Sequence, residues 1–474
     1  MRDCSRIPVR LGVCLLALLE LNLNAAELGM GFRVGEVTQT SAVVWTRITR
    51  DKERVWNGFR EPKGQPLDSP SDVPIESRDG AMPGASGEVR LVVDGEDGER
   101  LDQPGSDWIE VSAENDFCHQ FVLTNLEPGK RYSVRLEARP VGGDEATSTA
   151  DGAFRTAGSP AEWQDVSFAV VTGQAYKDLD HREGFNIYPA MQRLDLDFLV
   201  PTGDTVYLDS EAPRAKSVEL ARHHWHRMYS LPRHIEFHRR VPGYWEVDDH
   251  DSWLNDCWPG MKSKLMEPLT FEQGFAVFRE QVPLGDHPTH RTIRWGKGLQ
   301  IWLVEGRLYR SPNRAPDGPD KTIWGQEQRD WLMQSVLDSD ADFKVLISPT
   351  PIIGPDRGNK ADNHANDAFT YEGNLFRNWT AEHRLDNFFV CCGDRHWQYL
   401  SIDPATKLHE FSCGPASDQH AGGSPGAEPG IQPYHRVKGG FLEVRVSRED
   451  DRPTISLRHR EVNGGIQNEF RVQR

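Results

Sequence analysis

The chain has 474 residues, a formal net charge of −17 and 37% hydrophobic residues. That length accommodates two or three domains, each with an ordinary buried core. The acidity argues against sequence-independent nucleic-acid binding, which needs a basic surface, and gives no reason to expect an anionic membrane partner. No nucleic-acid surface is evident.

In chain order, Arg2, Arg6 and Arg10 precede an apolar run from Leu11 to Leu19 and then Asn24-Ala25-Ala26 before Glu27. That order predicts a secretory signal over residues 1–26 and an exported chain, periplasmic or extracellular. Cys14 lies inside the apolar run rather than just after it, which argues against lipid attachment, and no later segment is long enough for a transmembrane anchor. Residues 27–157 read as a β-sandwich of immunoglobulin or fibronectin III type. Runs such as Ala42–Thr46, Glu88–Val93 and Ser133–Ala138 are rich in β-branched residues and bounded by turn formers. Pro128-Gly129 followed by Tyr132 entering a strand resembles the tyrosine corner of such sandwiches. The Pro, Gly and Asp-rich stretch from Asp51 to Ser86 reads as a long surface loop.

Gly158-Ser159-Pro160 reads as a linker, and residues 162–474 alternate strand and helix, which predicts a layered α/β domain. Strands are expected at Val166–Val171, Phe198–Val200, Tyr244–Val247, Leu299–Val304, Phe343–Ser348 and Phe388–Cys392, with later ones around Phe441–Val446 and Thr454–Leu457. Helices are expected from Gly184 to Leu194 and from about Gly325 to Leu337. Five cysteines follow the signal: Cys118, Cys257, Cys391, Cys392 and Cys413. An odd, sparse set is no disulfide framework. Cys391 and Cys392, adjacent on one strand, read as core residues on opposite faces, and Cys257 as a secondary ligand candidate.

Three acidic knots end strand-like runs: GDTVY at 203–207, DDHD at 248–251 and GDRHW at 393–397. Ligands of an open α/β sheet bind beyond the carboxyl ends of its strands. Carboxylates converging there repel unless cations neutralise them. Asp204, Asp249, Asp394 and His396 offer the oxygen and imidazole donors that metal ions take, and the glycines before Asp204 and Asp394 permit sharp turns.

These knots, with GFRVGEVTQTSAVVWTR at 31–47, EGRLYR at 305–310 and the GQEQRDWL helix start, resemble the PhoD-like (alkaline phosphatase D) family of the calcineurin-like metallophosphatases over nearly the whole mature chain. The resemblance implies a secreted phosphoesterase with a binuclear site. Asp204 would bridge two metals, Tyr207 would give a phenolate to ferric iron, and Asp249, Asp394 and His396 would complete the ligands. It implies His250 as the group that stabilises or protonates the leaving oxygen, oriented by Asp251, and Arg395 as a contact to the phosphoryl group or a salt bridge on the rim. Iron and calcium are the implied ions. The family's usual cysteine ligand, however, is replaced: the matching residues are Thr172-Gly173-Gln174. Gln174, His181, Asp178 or a water could fill the gap, harder ions such as calcium, manganese or magnesium could be preferred, or the centre could have decayed. The substrate would be a small-molecule or lipid phosphoester. The alternative is a catalytically altered extracellular binding module, and a third reading is hydrolysis of another ester such as a sulfate.

Other candidates are weaker. His223, His224 and His226 read as packing residues of an amphipathic helix, and the polar loop 359–374, with Asn363, His364, Asn366 and Asp367, as a lid or an ordinary solvated loop.

Overall fold

The computed structural model describes residues 25–61, 67–68 and 73–474; nearly all of the predicted signal, residues 1–24, lies outside the described residues. The first strands are β1 (Phe32–Gly35), β2 (Ala42–Arg47), β3 (Gly87–Asp94), β4 (Arg100–Leu101), β5 (Ile109–Val111), β6 (Cys118–Leu123), β7 (Arg131–Arg139) and β8 (Ser148–Arg155). They form two antiparallel sheets, β1-β2-β6 and β4-β3-β7-β8, with β5 added to β3. β7 shows why: Tyr132, Val134, Leu136 and Ala138 point inward and the residues between them outward, the period-2 signature of a sheet covered on one face. The tyrosine corner is present, with the Glu127 amide donating to the Tyr132 hydroxyl at 2.8 Å. The described residues of the 51–86 stretch do not form the loose surface loop its composition suggests. Arg54, Arg78 and Asp79 are buried, as are Ala81 and Met82, and Arg54 donates to the Arg227 carbonyl at 2.8 Å, so charged side chains help to anchor the segment.

The second part carries β9 (Val166–Val171), α1 (Ile187–Gln192), β10 (Phe198–Pro201), α2 (Val218–Tyr229), α3 (Pro232–His238), α4 (Asp249–Ser252), α5 (Phe271–Gln281), β11 (Arg291–Trp295), β12 (Leu299–Leu303), α6 (Gly325–Asp338), β13 (Phe343–Ser348), α7 (Thr370–Glu382) and β14 (Phe388–Cys392). It ends with β15 (Gln398–Ile402), β16 (His409–Cys413), β17 (Tyr434–Arg436), β18 (Gly440–Glu449), β19 (Arg452–Glu461) and β20 (Ile466–Gln473). One sheet runs β10-β9-β18-β19-β20 and the other β11-β12-β13-β14-β16-β15-β17.

These two sheets face each other with helices outside. Phe168 and Val170 of β9 share a core with Val345 and Ile347 of β13 and Phe389 and Cys391 of β14. The alternate residues Ala169 and Val171 pack against α1 and α3 through Tyr188 and Phe237. On the far side Leu346 and Val390 pack against Leu332 and Val336 of α6 and Phe376 of α7. Strands buried on both faces read as continuous apolar runs, which is why β9, β13 and β14 were legible in the sequence. Cys391 joins the inter-sheet core and Cys392 the opposite face, as adjacent strand residues must. β18 extends the first sheet antiparallel to β9, and β19 and β20 continue it, each antiparallel to the strand before.

The expected strand at Tyr244–Val247 does not form. The segment lies extended beside β10, with the Tyr244 and Glu246 amides donating to the Leu199 and Pro201 carbonyls at 2.9 Å, but the pairing amounts to the isolated bridges Leu199↔Gly243 and Thr202↔Glu246, and the Trp245 carbonyl between them accepts from Arg291 at 3.0 Å. It still carries the DDHD knot to the end of the sheet, where β9, β10 and β14 also finish.

Candidate metal centre

The backbone at the sheet end is set by two close turns. Gly203 has φ of +76° and approaches so closely that an added Cβ would stand 2.4 Å from the Asp248 Cβ. Asp204 and Asp394 follow in the left-handed region, at φ +52° and +56°, where Asp is one of the few tolerated non-glycine residues. Gly393 serves closeness rather than handedness: a Cβ there would meet the Thr202 carbonyl at 2.6 Å and that of Pro349 at 2.9 Å. Strand ends of both sheets are thereby brought together, and with them Asp204 and Asp394.

Two clusters of potential ligands share Asp204. Its carboxylate lies with those of Asp249 and a ring nitrogen of His250, and separately with those of Asp248 and Asp394, the donor atoms of each cluster lying within 4.8 Å of one another. Asp204 Oδ1 is buried without a hydrogen-bond partner. Burial pushes the Asp204 carboxyl well above its usual range, and Asp249, Asp248 and Asp251 add to that against the pull of His250. Tyr207, one turn on, places its hydroxyl 3.2 Å from Asp204 Oδ2, and His396 Nε2 is 4.0 Å from the same oxygen. A buried acceptor with no donor, inside a ring of oxygen and nitrogen donors, fits hard or borderline cations and little else.

The rest of the predicted set divides. Asp249 is ionised: burial opposes this, but Arg307, His250 and Lys360 hold its carboxyl far below the usual range. Its oxygens accept from the amides of His250 at 2.8 Å and Asp256 at 2.6 Å. His250 is not oriented by Asp251. The Asp251 carboxylate is fully buried and accepts from the amides of Thr205, Val206 and Asp248 at 2.7, 2.9 and 3.2 Å, so it ties the first knot to the second, and burial raises it to about 7. The partner of His250 Nδ1 is Asp209 Oδ1, at 2.6 Å. Burial lowers the His250 imidazole, but Asp209, Asp249 and Asp204 together outweigh it and raise it well above the usual value.

Arg395 does not stand on the rim. Its guanidinium is wholly buried, pairs with Asp394 and donates to Asp356 at 2.6 Å, since the residue after a left-handed Asp turns back into the wall. Arg307, within the EGRLYR segment but not singled out, is the matching cation on the other side: its Nε donates to Asp248 Oδ1 at 2.6 Å and its Nη2 lies 3.7 Å from Asp249. Cys257 is no ligand. Its thiol sits 3.4 Å from the Ser252 hydroxyl and burial pushes it to about 11.

The residues proposed to replace the missing cysteine also separate. Gln174 is buried and accepts from the Tyr188 hydroxyl at 2.6 Å. His181 is 46% exposed beside Glu183 and away from the centre. Asp178 reaches the centre only through His420, whose Nδ1 it holds at 2.8 Å. His420, absent from the sequence reading, places Nε2 2.8 Å from the Tyr207 hydroxyl, and its ring lies 4.1 Å from that of His396, tilted by 45°. The histidines of α2 are buried packing residues: His224 bonds the Pro213 carbonyl at 2.8 Å and His226 bonds Asp116. In the loop 359–374, Asn363 and His364 are buried and bonded to Asp356 and Glu372, making it part of the wall.

The sequence model of the PhoD-like phosphatase family matches residues 168–439, more than half of the chain. Alkaline phosphatase D of Bacillus subtilis (strain 168) is 21% identical over 430 residues, covering 80% of this chain; the chain spans 66% of that relative's length. A solved structure of PhoD superposes with a TM-score of 0.72 at 18% identity over 96% of this chain and 91% of the other. The purple acid phosphatase PPD1 from yellow lupin (Lupinus luteus) seeds gives 0.62 at 11% identity over 96% and 75%. At these identities the two structures establish the fold, a β-sandwich followed by a mixed α/β domain. With the family match over the domain that holds the centre, the chain belongs to the PhoD-like phosphatase family.

Proposed function

We propose that this protein is an exported, metal-dependent phosphoesterase whose centre is built on Asp204. The observation that carries the reading is the sharing of Asp204 between two donor clusters, with one oxygen buried and unpartnered. A carboxylate has lone pairs for two cations, and Asp204, Asp249, Tyr207, Asp394 and His396 would hold a pair of them. Such cations neutralise charge on phosphoryl oxygens and make water acidic enough to attack near neutral pH.

The chain's own residues do the remainder. His250, fixed through Nδ1 by Asp209 and kept protonated by three carboxylates, would give its proton to the leaving oxygen. The buried arginines Arg307 and Arg395 pair with Asp248, Asp249 and Asp394 and hold those carboxylates in place. Asp251 locks the first two knots in register. The substrate class is a small phosphate monoester or diester, or a phospholipid head group, with the acidic surface disfavouring long polyanions. The test is hydrolysis of an aryl phosphate diester before and after chelation, with folding followed by circular dichroism. Loss of turnover in folded protein supports the reading; turnover that persists in fully stripped protein overturns it.

A further inference from the structure

Gly173 lies two residues beyond β9, at the position where the family resemblance implies a cysteine ligand. A Cβ built there would stand 3.0 and 3.2 Å from the Pro415 Cβ and Cα and 3.3 Å from Cδ2 of the His420 ring. Pro415 and His420 together thus line the space beside position 173. Their loop is pinned. Thr172 and Pro415 form a parallel bridge, the Ala416 amide donates to the Gly173 carbonyl at 3.3 Å, and the Ser417 hydroxyl accepts from the His420 amide at 3.3 Å.

The hydrogen bonds decide which nitrogen faces the centre. A carboxylate only accepts, so Asp178 places the ring proton on Nδ1 and leaves the lone pair on Nε2. That nitrogen, the Tyr207 oxygen and Asp204 Oδ2 are neighbours, at 2.8 and 3.2 Å, with the single tyrosine proton among three acceptors. Carboxylate, histidine and an aimed lone pair in this order are the usual support of a metal-binding imidazole.

We propose that His420 is the metal ligand that takes over from the absent cysteine, with Asp178 as its positioning residue. The inference rests on the metal-dependent reading above. Replacing a thiolate with a neutral imidazole removes one negative charge and a soft donor, which suits a borderline first-row ion at that position.

The test uses the full chain, stripped and titrated with Co²⁺, with bound metal measured by elemental analysis and its environment by visible absorption. In His420→Ala, one metal equivalent should weaken by at least about 100-fold, and free imidazole should restore both the affinity and the absorption band. Asp178→Asn should weaken the same equivalent by about 10–100-fold, the usual cost of removing such a carboxylate. A second route is Gly173→Cys combined with His420→Ala, which should regain the metal with a new sulfur-to-cobalt band in the near ultraviolet. If His420→Ala binds Co²⁺ with unchanged affinity and spectrum, the ligand role is wrong while the metal-dependent reading stands. If the folded wild-type chain binds no metal ion at all, that reading falls and the ligand role with it.

Discussion

Two buried acidic clusters in this molecule look alike by composition and differ in their charge balance. At the junction of the two parts, Asp116 meets Arg47 of β2, His226 of α2 and Gln281 of α5, at 3.1, 2.5 and 2.8 Å. Burial pushes its carboxyl up, but His226 and Arg47 outweigh that and hold it well below the usual range. His226 is itself lowered, first by burial and then by Arg47, so Arg47 is the standing cation and the cluster closes with one carboxylate, one guanidinium and two donors. Around Asp204 the balance does not close. Asp248, Asp249 and Asp394 pair with Arg307 or Arg395, whereas Asp204 pairs with neither; its Oδ1, like Asp248 Oδ2 and Asp394 Oδ2, has no hydrogen-bond partner, and burial displaces its carboxyl upward. A carboxylate whose charge is met by the chain is architecture, and one whose charge is not met is held for something that arrives later.

The comparison can be broken most forcefully at the junction. Asp116→Asn leaves Arg47 buried without its anion, and should destabilise the protein by about 3–5 kcal/mol in denaturant unfolding, equally with and without metal. A depressed carboxyl contributes stability that is present above its unfolded value, near 3.9, and is lost as the pH falls towards its folded one. The difference between wild type and variant should therefore be constant from neutral pH to about pH 5 and shrink below about 4.

The opposite sign is expected at the centre. A raised carboxyl is ionised at its full burial cost only at high pH, so Asp204→Asn should stabilise the metal-free protein at pH 8 by about 1–3 kcal/mol. That advantage should disappear on acidification, when wild-type Asp204 takes up its proton in the folded state. Thermal unfolding of stripped protein across this range measures it. An Asn variant less stable than wild type at pH 8 would mean that Asp204 is architectural after all.

A smaller effect sharpens the role of Asp209. Asp209→Asn removes the anion on His250 Nδ1 and should lower that imidazole. If His250 donates a proton, the alkaline limb of the kcat profile moves to lower pH, with little change in KM.

Much of this was legible before the structure. β9, β13 and β14 are apolar runs buried on both faces; GDTVY follows β10 and GDRHW follows β14, so the positions of Asp204 and Asp394 followed from one rule, and Asp249 from an extended segment that the same rule took for a strand. The partners were not legible. Asp209 lies only five residues from Asp204, but nothing in spacing distinguishes it from Asp251 as the support of His250; the capping bonds of Asp251 to Thr205, Val206 and Asp248 decide that. His420 lies in a Gly and Pro-rich stretch with no period, and reaches the centre because Pro415 bridges back to Thr172. Arg307 carried a usable signal: a charged residue just beyond an apolar strand, the same criterion that picked out the aspartates, applied to cations.

The measurement that tests the central claim most directly is metal content and aryl phosphate hydrolysis of the purified chain beside Asp204→Asn. The account predicts two metal equivalents and turnover of a phosphate ester in the wild type, with both the second equivalent and turnover lost in a folded variant. An Asp204→Asn protein that keeps its metal and its turnover would contradict it.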